Sequence, residues 1–176
     1  MKKSIIVLFF AGIAAVGFSQ QKIQPEWQDF TKVVNEETGQ DKISVIYVYT
    51  TPCDLCTTTE ETILADTTVV GMLKRNFIAA KFDARTREDV VVKGQSYRYS
   101  GNEEHGTNIY AIMLVDGIMG FPTFVFLNKD GEKIGKHYFT KDFAPVKDIA
   151  EFLQILQYYS SGAYEETSYE EWIQKQ

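Results

Sequence analysis

Tyr47-Val48-Tyr49-Thr50-Thr51-Pro52-Cys53-Asp54-Leu55-Cys56-Thr57 is the stretch whose reading decides the fold of this chain. An apolar, β-branched and aromatic run from Val45 to Tyr49 ends in Thr50-Thr51-Pro52, and the only two cysteines of the 176 residues follow, two residues apart. The pattern predicts a strand, a turn and the start of a helix. Thiols at positions i and i+3 in a helix's first turn share one face and can bond to each other. The first of them, Cys53, falls among the unpaired N–H groups of the helix start, where partial positive charge favours thiolate over thiol. A thiolate with a partner thiol three residues away is the minimum equipment for thiol–disulfide exchange.

With 44% hydrophobic and 14% aromatic residues the chain is long enough for one domain with a real core and short for two. A disulfide closing so short a loop constrains the unfolded chain little, so stability is a poor reason for the pair. Residues 1–19 read as a signal peptide: Lys2 and Lys3 precede an uncharged run from Ile5 to Phe18, and Gly17 and Ser19 supply small residues before a cut at Gln20. The run is shorter than the ~20 apolar residues of a bilayer-spanning helix, and no cysteine lies at the cut to suit lipoprotein processing. The expectation is therefore a periplasmic or secreted protein, in a compartment where a cysteine pair can cycle or stay oxidised. Removing the leader takes two lysines and no acid, leaving 16 basic against 24 acidic residues, net −8 instead of −6. An acidic domain without a basic run offers no footprint for nucleic acid or an anionic membrane. The cluster Glu165, Glu166, Glu170 and Glu171 reads as a solvated face.

Outward from the cysteines, the pattern predicts an α/β order. Ile23 to Thr38, with Trp27, Phe30, Val33 and Val34 at helical spacing and Pro25 in the first turn, reads as an amphipathic helix. Ile43 to Thr50 suits a strand buried on both faces. A helix from Cys53 to about Ala65, a second segment from Thr67 to Lys74 and a strand from Asn76 to Ala84 follow, the two strands pairing in parallel. Val90-Val91-Val92 and Ser96-Tyr97-Arg98-Tyr99 flank Lys93-Gly94-Gln95 as a hairpin. Gly106 to Val115 is a helix ended by Asp116-Gly117, and Phe121 to Leu127 is a strand. Asn128 to Gly131 turn into a return strand from Glu132 to Phe139. Asp142 opens the last long helix as its N-cap, with Phe143, Val146, Ile149, Phe152, Leu153 and Leu156 at core spacing, and Ser168 to Gln174 is a tail helix.

This order, with Cys53-Asp54-Leu55-Cys56 after the first core strand and Gly120-Phe121-Pro122-Thr123 opening the third, resembles the thioredoxin fold. The resemblance spans roughly Ile23 to Tyr159, and the leader and the Ser161-Gly162-Ala163-Tyr164 ending are similar to exported bacterial thioredoxin-like proteins. It implies a central mixed four-to-five-stranded sheet flanked by helices, with an inserted hairpin before the third helix. Residues 20–176 would form a single domain, with an insert at about 85–108 and a C-terminal helical extension at about 160–176. By the same resemblance Cys53 is the attacking thiol, Cys56 the resolving thiol, and the two form the redox disulfide. Pro122 would be a cis-proline facing them, and the backbone of Phe121 would pair with an extended substrate. Implied partners are protein thiols and disulfides, and a redox partner that resets the pair. No cofactor, no metal and no stable membrane insertion after leader cleavage are expected.

Three departures from the family pattern bear on the chemistry. Pro52 stands where Trp is familiar, and Asp54-Leu55 replace Gly-Pro between the cysteines; an ionised Asp54 disfavours a thiolate at Cys53. Tyr47 occupies the position, six residues before the first cysteine, of a buried acid that manages protons for the resolving thiol. Thr57 replaces a lysine after the second cysteine. The expected activity is thus an exported thiol–disulfide oxidoreductase that reduces or isomerises in preference to strongly oxidising. The competing readings are a non-catalytic thioredoxin-like protein-binding module and, further off, a copper-handling protein using His105. Zinc is disfavoured because His105 and His137 lie 32 residues apart and no second cysteine pair exists. Tyr97, Tyr99 and Tyr110 either line a peptide groove or pack the insert. No phosphate loop, Gly-x-Ser-x-Gly elbow or paired-histidine motif supports a kinase or hydrolase.

Overall fold

The computed structural model describes residues 23–35, 41–103, 105–138 and 149–176. A five-stranded mixed sheet forms its centre, in the order Trp27–Gln28, Phe77–Asp83, Ile43–Tyr49, Thr123–Leu127, Lys133–Tyr138. Strand β2 (Ile43–Tyr49) runs parallel to β3 (Phe77–Asp83), with Tyr47 opposite Lys81. On its other side β2 pairs antiparallel with β8 (Thr123–Leu127), which pairs antiparallel with β9 (Lys133–Tyr138). The apolar run of β2 serves both faces. Val45 and Tyr47 enter one core with Leu64, Phe124 and Phe152, while Ile46 and Val48 enter the other with Val33, Ala111 and Val125.

The segment expected as one helix from Ile23 to Thr38 is divided. Trp27–Gln28 is a short strand, β1, parallel to Ala79 and Ala80 of β3, and the helix α1 is confined to Phe30–Val34. Asp29 caps α1 by accepting the Lys32 N–H at 3.0 Å. The reason lies in the sheet: Trp27 packs with Tyr47 on one face, whereas Phe30, Val33 and Val34 pack on the other. Two apolar sets that look like one helical stripe thus belong to opposite cores. Residues 36–38 of the expected helix lie outside the described residues.

Helix α2 (Asp54–Glu61) passes through a 3-10 turn at Ile63–Ala65 to α3 (Thr67–Asn76), whose cap Asp66 accepts the N–H groups of Thr68 and Val69. The insert begins with the expected hairpin, β4 (Val90–Val92) and β5 (Gln95–Tyr97). Its two turn residues, Lys93 and Gly94, both have positive φ, at 48° and 81°, as a two-residue turn matched to strand twist requires. A second small ladder, β6 (Tyr99–Ser100) with β7 (Thr107–Asn108), takes the residues expected to start the next helix. Helix α4 is therefore Ile109–Leu114, with Asn108 as its cap. Asp116 ends it at positive φ and is paired with Lys133 and Lys136. Tyr97 and Tyr110 pack on each other, and Tyr110 also meets Phe30 and Phe82, so these tyrosines fill the insert's underside.

The last long helix is described as α5 (Ile149–Ser160); the expected cap Asp142, with Phe143 and Val146, lies outside the described residues, as do residues 1–22. Helix α6 (Tyr169–Ile173), capped by Ser168, brings Tyr169 and Trp172 against Tyr158. Among the described residues no helix is long and apolar enough to cross a membrane.

Under α5 lies His137 of β9, hydrogen-bonded to the Tyr159 hydroxyl at 3.1 Å and edge-on to Phe126 and Tyr169. Burial pushes its pKa down to about 4. Above about pH 6.5 folded and unfolded chains both carry it neutral, so it adds no pH dependence there. Between about pH 6.5 and 4 the unfolded chain binds a proton that the folded one refuses, and stability falls with pH by an amount on the order of 2–3 kcal/mol. Urea titrations of the wild type and His137→Gln across this range should show that slope in the wild type and a shallower one in the variant.

Candidate active site

Strand β2 ends at Tyr49, and the turn at Thr51-Pro52 delivers Cys53 to the start of α2. The peptide before Pro52 is cis, a feature that nothing in the sequence pattern announces. Cys53 is the N-cap, with extended backbone, and its sulfur accepts the Cys56 N–H at 3.1 Å. The sulfur thus sits at the cluster of unpaired N–H groups that stabilise negative charge. Cys53 and Cys56 form a disulfide with a Cα–Cα distance of 5.2 Å. The two are not equivalent: Cys53 is part-exposed, whereas Cys56 is only 3% exposed. The threonines that follow hold the helix by donating their hydroxyls one turn back, Thr57 to Cys53, Thr58 to Asp54 and Thr59 to Leu55.

Phe121 and Pro122 face the pair. They precede β8 instead of forming its first residues, because Thr123 turns its hydroxyl onto the Gly120 carbonyl at 2.5 Å and closes the loop. The Phe121–Pro122 peptide is cis, and the Phe121 carbonyl oxygen lies 3.9 Å from Cys53 Sγ. Four residues singled out in the sequence, Cys53, Cys56, Phe121 and Pro122, are thereby brought to one place from positions 68 apart in the chain.

Tyr47 is fully buried and donates its hydroxyl to the Cys56 carbonyl at 3.1 Å. Burial first, then the nearby Glu60 and Tyr49, raises its phenol far above the ordinary value, so it stays a donor. Beside it lies a pair that no motif in the sequence marks. Lys81 Nζ is 3.0 Å from Glu60 Oε1 and lies over the rings of Trp27, Tyr47 and Tyr49 at 5.0, 5.7 and 5.7 Å. The signal for Glu60 is its spacing of four from Cys56; the signal for Lys81 exists only in the β2–β3 register. A groove of about 430 Å³ runs along this side, bounded by Tyr49, Pro52, Cys53, Cys56, Glu60 and Lys81. Asp54 and Glu61 are exposed on the same helix.

The histidines fall elsewhere in the fold. His105 lies in the β6–β7 turn, its N–H donated to Asn102, and His137 lies under α5. Among the described residues no three His, Cys, Asp or Glu side chains are grouped to hold a metal ion.

A mixed sheet with a Cys-x-x-Cys pair at a helix start and a cis-proline loop against it defines the thioredoxin-like class of α/β proteins. The chain belongs to the thioredoxin-like family, whose domain model matches residues 30–160. Among solved structures, a thioredoxin from Thermus thermophilus superimposes with a TM-score of 0.53 at 19% identity, over 79% of this chain and 88% of that one. A thioredoxin-fold protein from Helicobacter pylori gives 0.48 at 15% identity over 73% and 74% of the two chains. A DsbH oxidoreductase gives 0.48 at 13% identity over 90% and 94%. At 19% identity the first of these shows a shared fold. No curated protein matches the sequence significantly.

Proposed function

We propose that this protein is an exported thiol–disulfide oxidoreductase that exchanges disulfides with protein substrates and works in the reducing or isomerising direction. The observation that carries the reading is the asymmetry of the pair: a part-exposed Cys53 sulfur at a helix start, 3.9 Å from the Phe121 carbonyl, bonded to a buried Cys56. Cys53 attacks a substrate disulfide, the substrate strand lies along the Phe121-Pro122 edge, and Cys56 displaces the product as the pair oxidises. A second protein dithiol returns the pair to its reduced form. The leader-like residues 1–19 support export, with residues 20–176 remaining as one periplasmic or secreted domain.

The direction follows from charge. A strongly oxidising pair is one whose reduced thiolate is stabilised. Here Asp54 follows Cys53, Thr57 follows Cys56, and Asp54, Glu60 and Glu61 line the adjoining groove against the single Lys81. This surrounding disfavours thiolate and offsets part of the helix-start effect. The reduction potential, measured in dithiothreitol or glutathione buffers, should lie nearer ~−270 mV than ~−120 mV. A value near the upper figure would overturn the assigned direction. A value below about −300 mV, with unreactive thiols, would favour the binding-module reading.

A further inference from the structure

Given the oxidoreductase reading, on which this inference rests, the resolving step contains a proton that has no evident destination. Before the Cys56 sulfur can attack Cys53 Sγ it must lose its proton, yet Cys56 is only 3% exposed. Tyr47 touches the Cys56 carbonyl but is held protonated by its burial. Glu60 stands four residues after Cys56 in α2, on the same helix face one turn along. Its side chain is 34% exposed and that of its partner Lys81 is 27% exposed, so the ion pair is enclosed yet open to the groove that both cysteines line. A polar groove of about 430 Å³ has room for several waters between a sulfur and a carboxylate. Lys81 cannot swing away freely, because three ring faces hold its ammonium.

The other charged and titratable groups around Glu60 serve less well. Tyr47 and Tyr49 of β2 both have their phenol pKa values raised, chiefly by burial. Asp83 at the end of β3 accepts the Arg85 N–H, and Asp54 and Glu61 on Glu60's own helix are exposed.

We propose that Glu60, positioned by Lys81, takes the proton of Cys56 during resolution and hands it on to the departing thiolate or to solvent. In the mixed disulfide the Cys56 thiol passes its proton through water to the Glu60 carboxylate. Its sulfur then bonds to Cys53 Sγ, and the bond between Cys53 and the substrate sulfur breaks. The substrate leaves as a thiolate; through the same water Glu60 gives up its proton to that thiolate or to solvent, and the carboxylate is restored beside Lys81. Two electrons pass from the protein dithiol to the substrate disulfide. When a second protein dithiol reduces the pair, the same carboxylate relays one of that dithiol's protons to Cys56.

The test separates the two thiol steps. Reduced protein is mixed with 5,5′-dithiobis(2-nitrobenzoate); one thionitrobenzoate is released when Cys53 attacks and a second when Cys56 resolves. Glu60→Gln should slow the second release by about 10–100-fold near pH 7 without slowing the first. Between about pH 5 and pH 9 its second release should climb about tenfold per pH unit, as hydroxide-dependent deprotonation does, where the wild type is flatter. Glu60→Asp should recover part of the rate and the flatter profile. A second release in Glu60→Gln with the wild-type rate and pH profile would overturn the inference, and so would equal slowing of both releases, which marks a packing role. Absence of the first release from the wild-type protein would overturn the oxidoreductase reading itself, and the inference with it.

Discussion

Cys53→Ser is expected to lose disulfide exchange completely, while Cys56→Ser is expected to accumulate protein joined to substrate through Cys53. The asymmetry follows from position. Cys53 is part-exposed at the α2 N-terminus and beside the Phe121 carbonyl, so a substrate sulfur can reach it; Cys56 is buried and can reach only Cys53. With Cys56 gone the first exchange still occurs, and nothing on the protein releases the product. Non-reducing gels of each variant incubated with a disulfide-bearing protein, repeated after dithiothreitol, read the result directly. Equal activity in the two variants, or adducts formed through Cys56 in Cys53→Ser, would remove the assigned roles.

The second large effect is expected at Asn108. Its side chain is fully buried and joins three parts of the insert: Nδ2 donates to the carbonyls of Glu88 and Tyr97, and Oδ1 accepts the Tyr110 N–H that starts α4. Its own N–H binds the Ala84 carbonyl at the end of β3. Asn108→Ala strands two carbonyls and one N–H at once, which should cost about 3 kcal/mol. For a domain of this size that lowers Tm by about 6–12 °C. Asn108→Asp keeps the cap but turns a buried carboxylate oxygen onto those two carbonyls, so it should cost at least as much. Thermal denaturation of both variants checks this ordering; a shift of less than about 2 °C in Asn108→Ala would show that the insert is not held through this residue.

Much of the architecture is legible in local pattern because the residues concerned act locally. The apolar run of β2, the glycine turn between β4 and β5, and the spacing of Cys53 and Cys56 each specify their structure within a few residues. The thioredoxin-like order and the approach of the Phe121-Pro122 loop to Cys53 follow once two motifs are seen together. Other features depend on partners distant in sequence. Trp27 leaves the helical stripe of Phe30, Val33 and Val34 because the edge of β3 offers it backbone partners and Tyr47 a ring face. Thr107 and Asn108 leave the start of α4 because Tyr99 and Ser100 pair with them. Lys81 becomes part of the site only through its register opposite Tyr47. The cis peptide at Thr51-Pro52 has no sequence signal to distinguish it from a trans one.

Tyr47 shows how a single position can depart from the family pattern without changing the fold. Its ring fills the core beside Phe124, its hydroxyl ties β2 to the cysteine helix, and its burial keeps the phenol protonated. Glu60 supplies a carboxylate from the helix itself, and Lys81 supplies the countercharge from β3.

The most direct test of the account is the order in which the two thiols of the reduced protein are alkylated by iodoacetamide as pH is raised, read by mass mapping. Cys53 should react first at every pH and Cys56 only slowly, as their exposure and the helix start require. Preferential alkylation of Cys56, or a pair in which neither thiol reacts, would contradict the claim that this is an exchange-active pair led by Cys53.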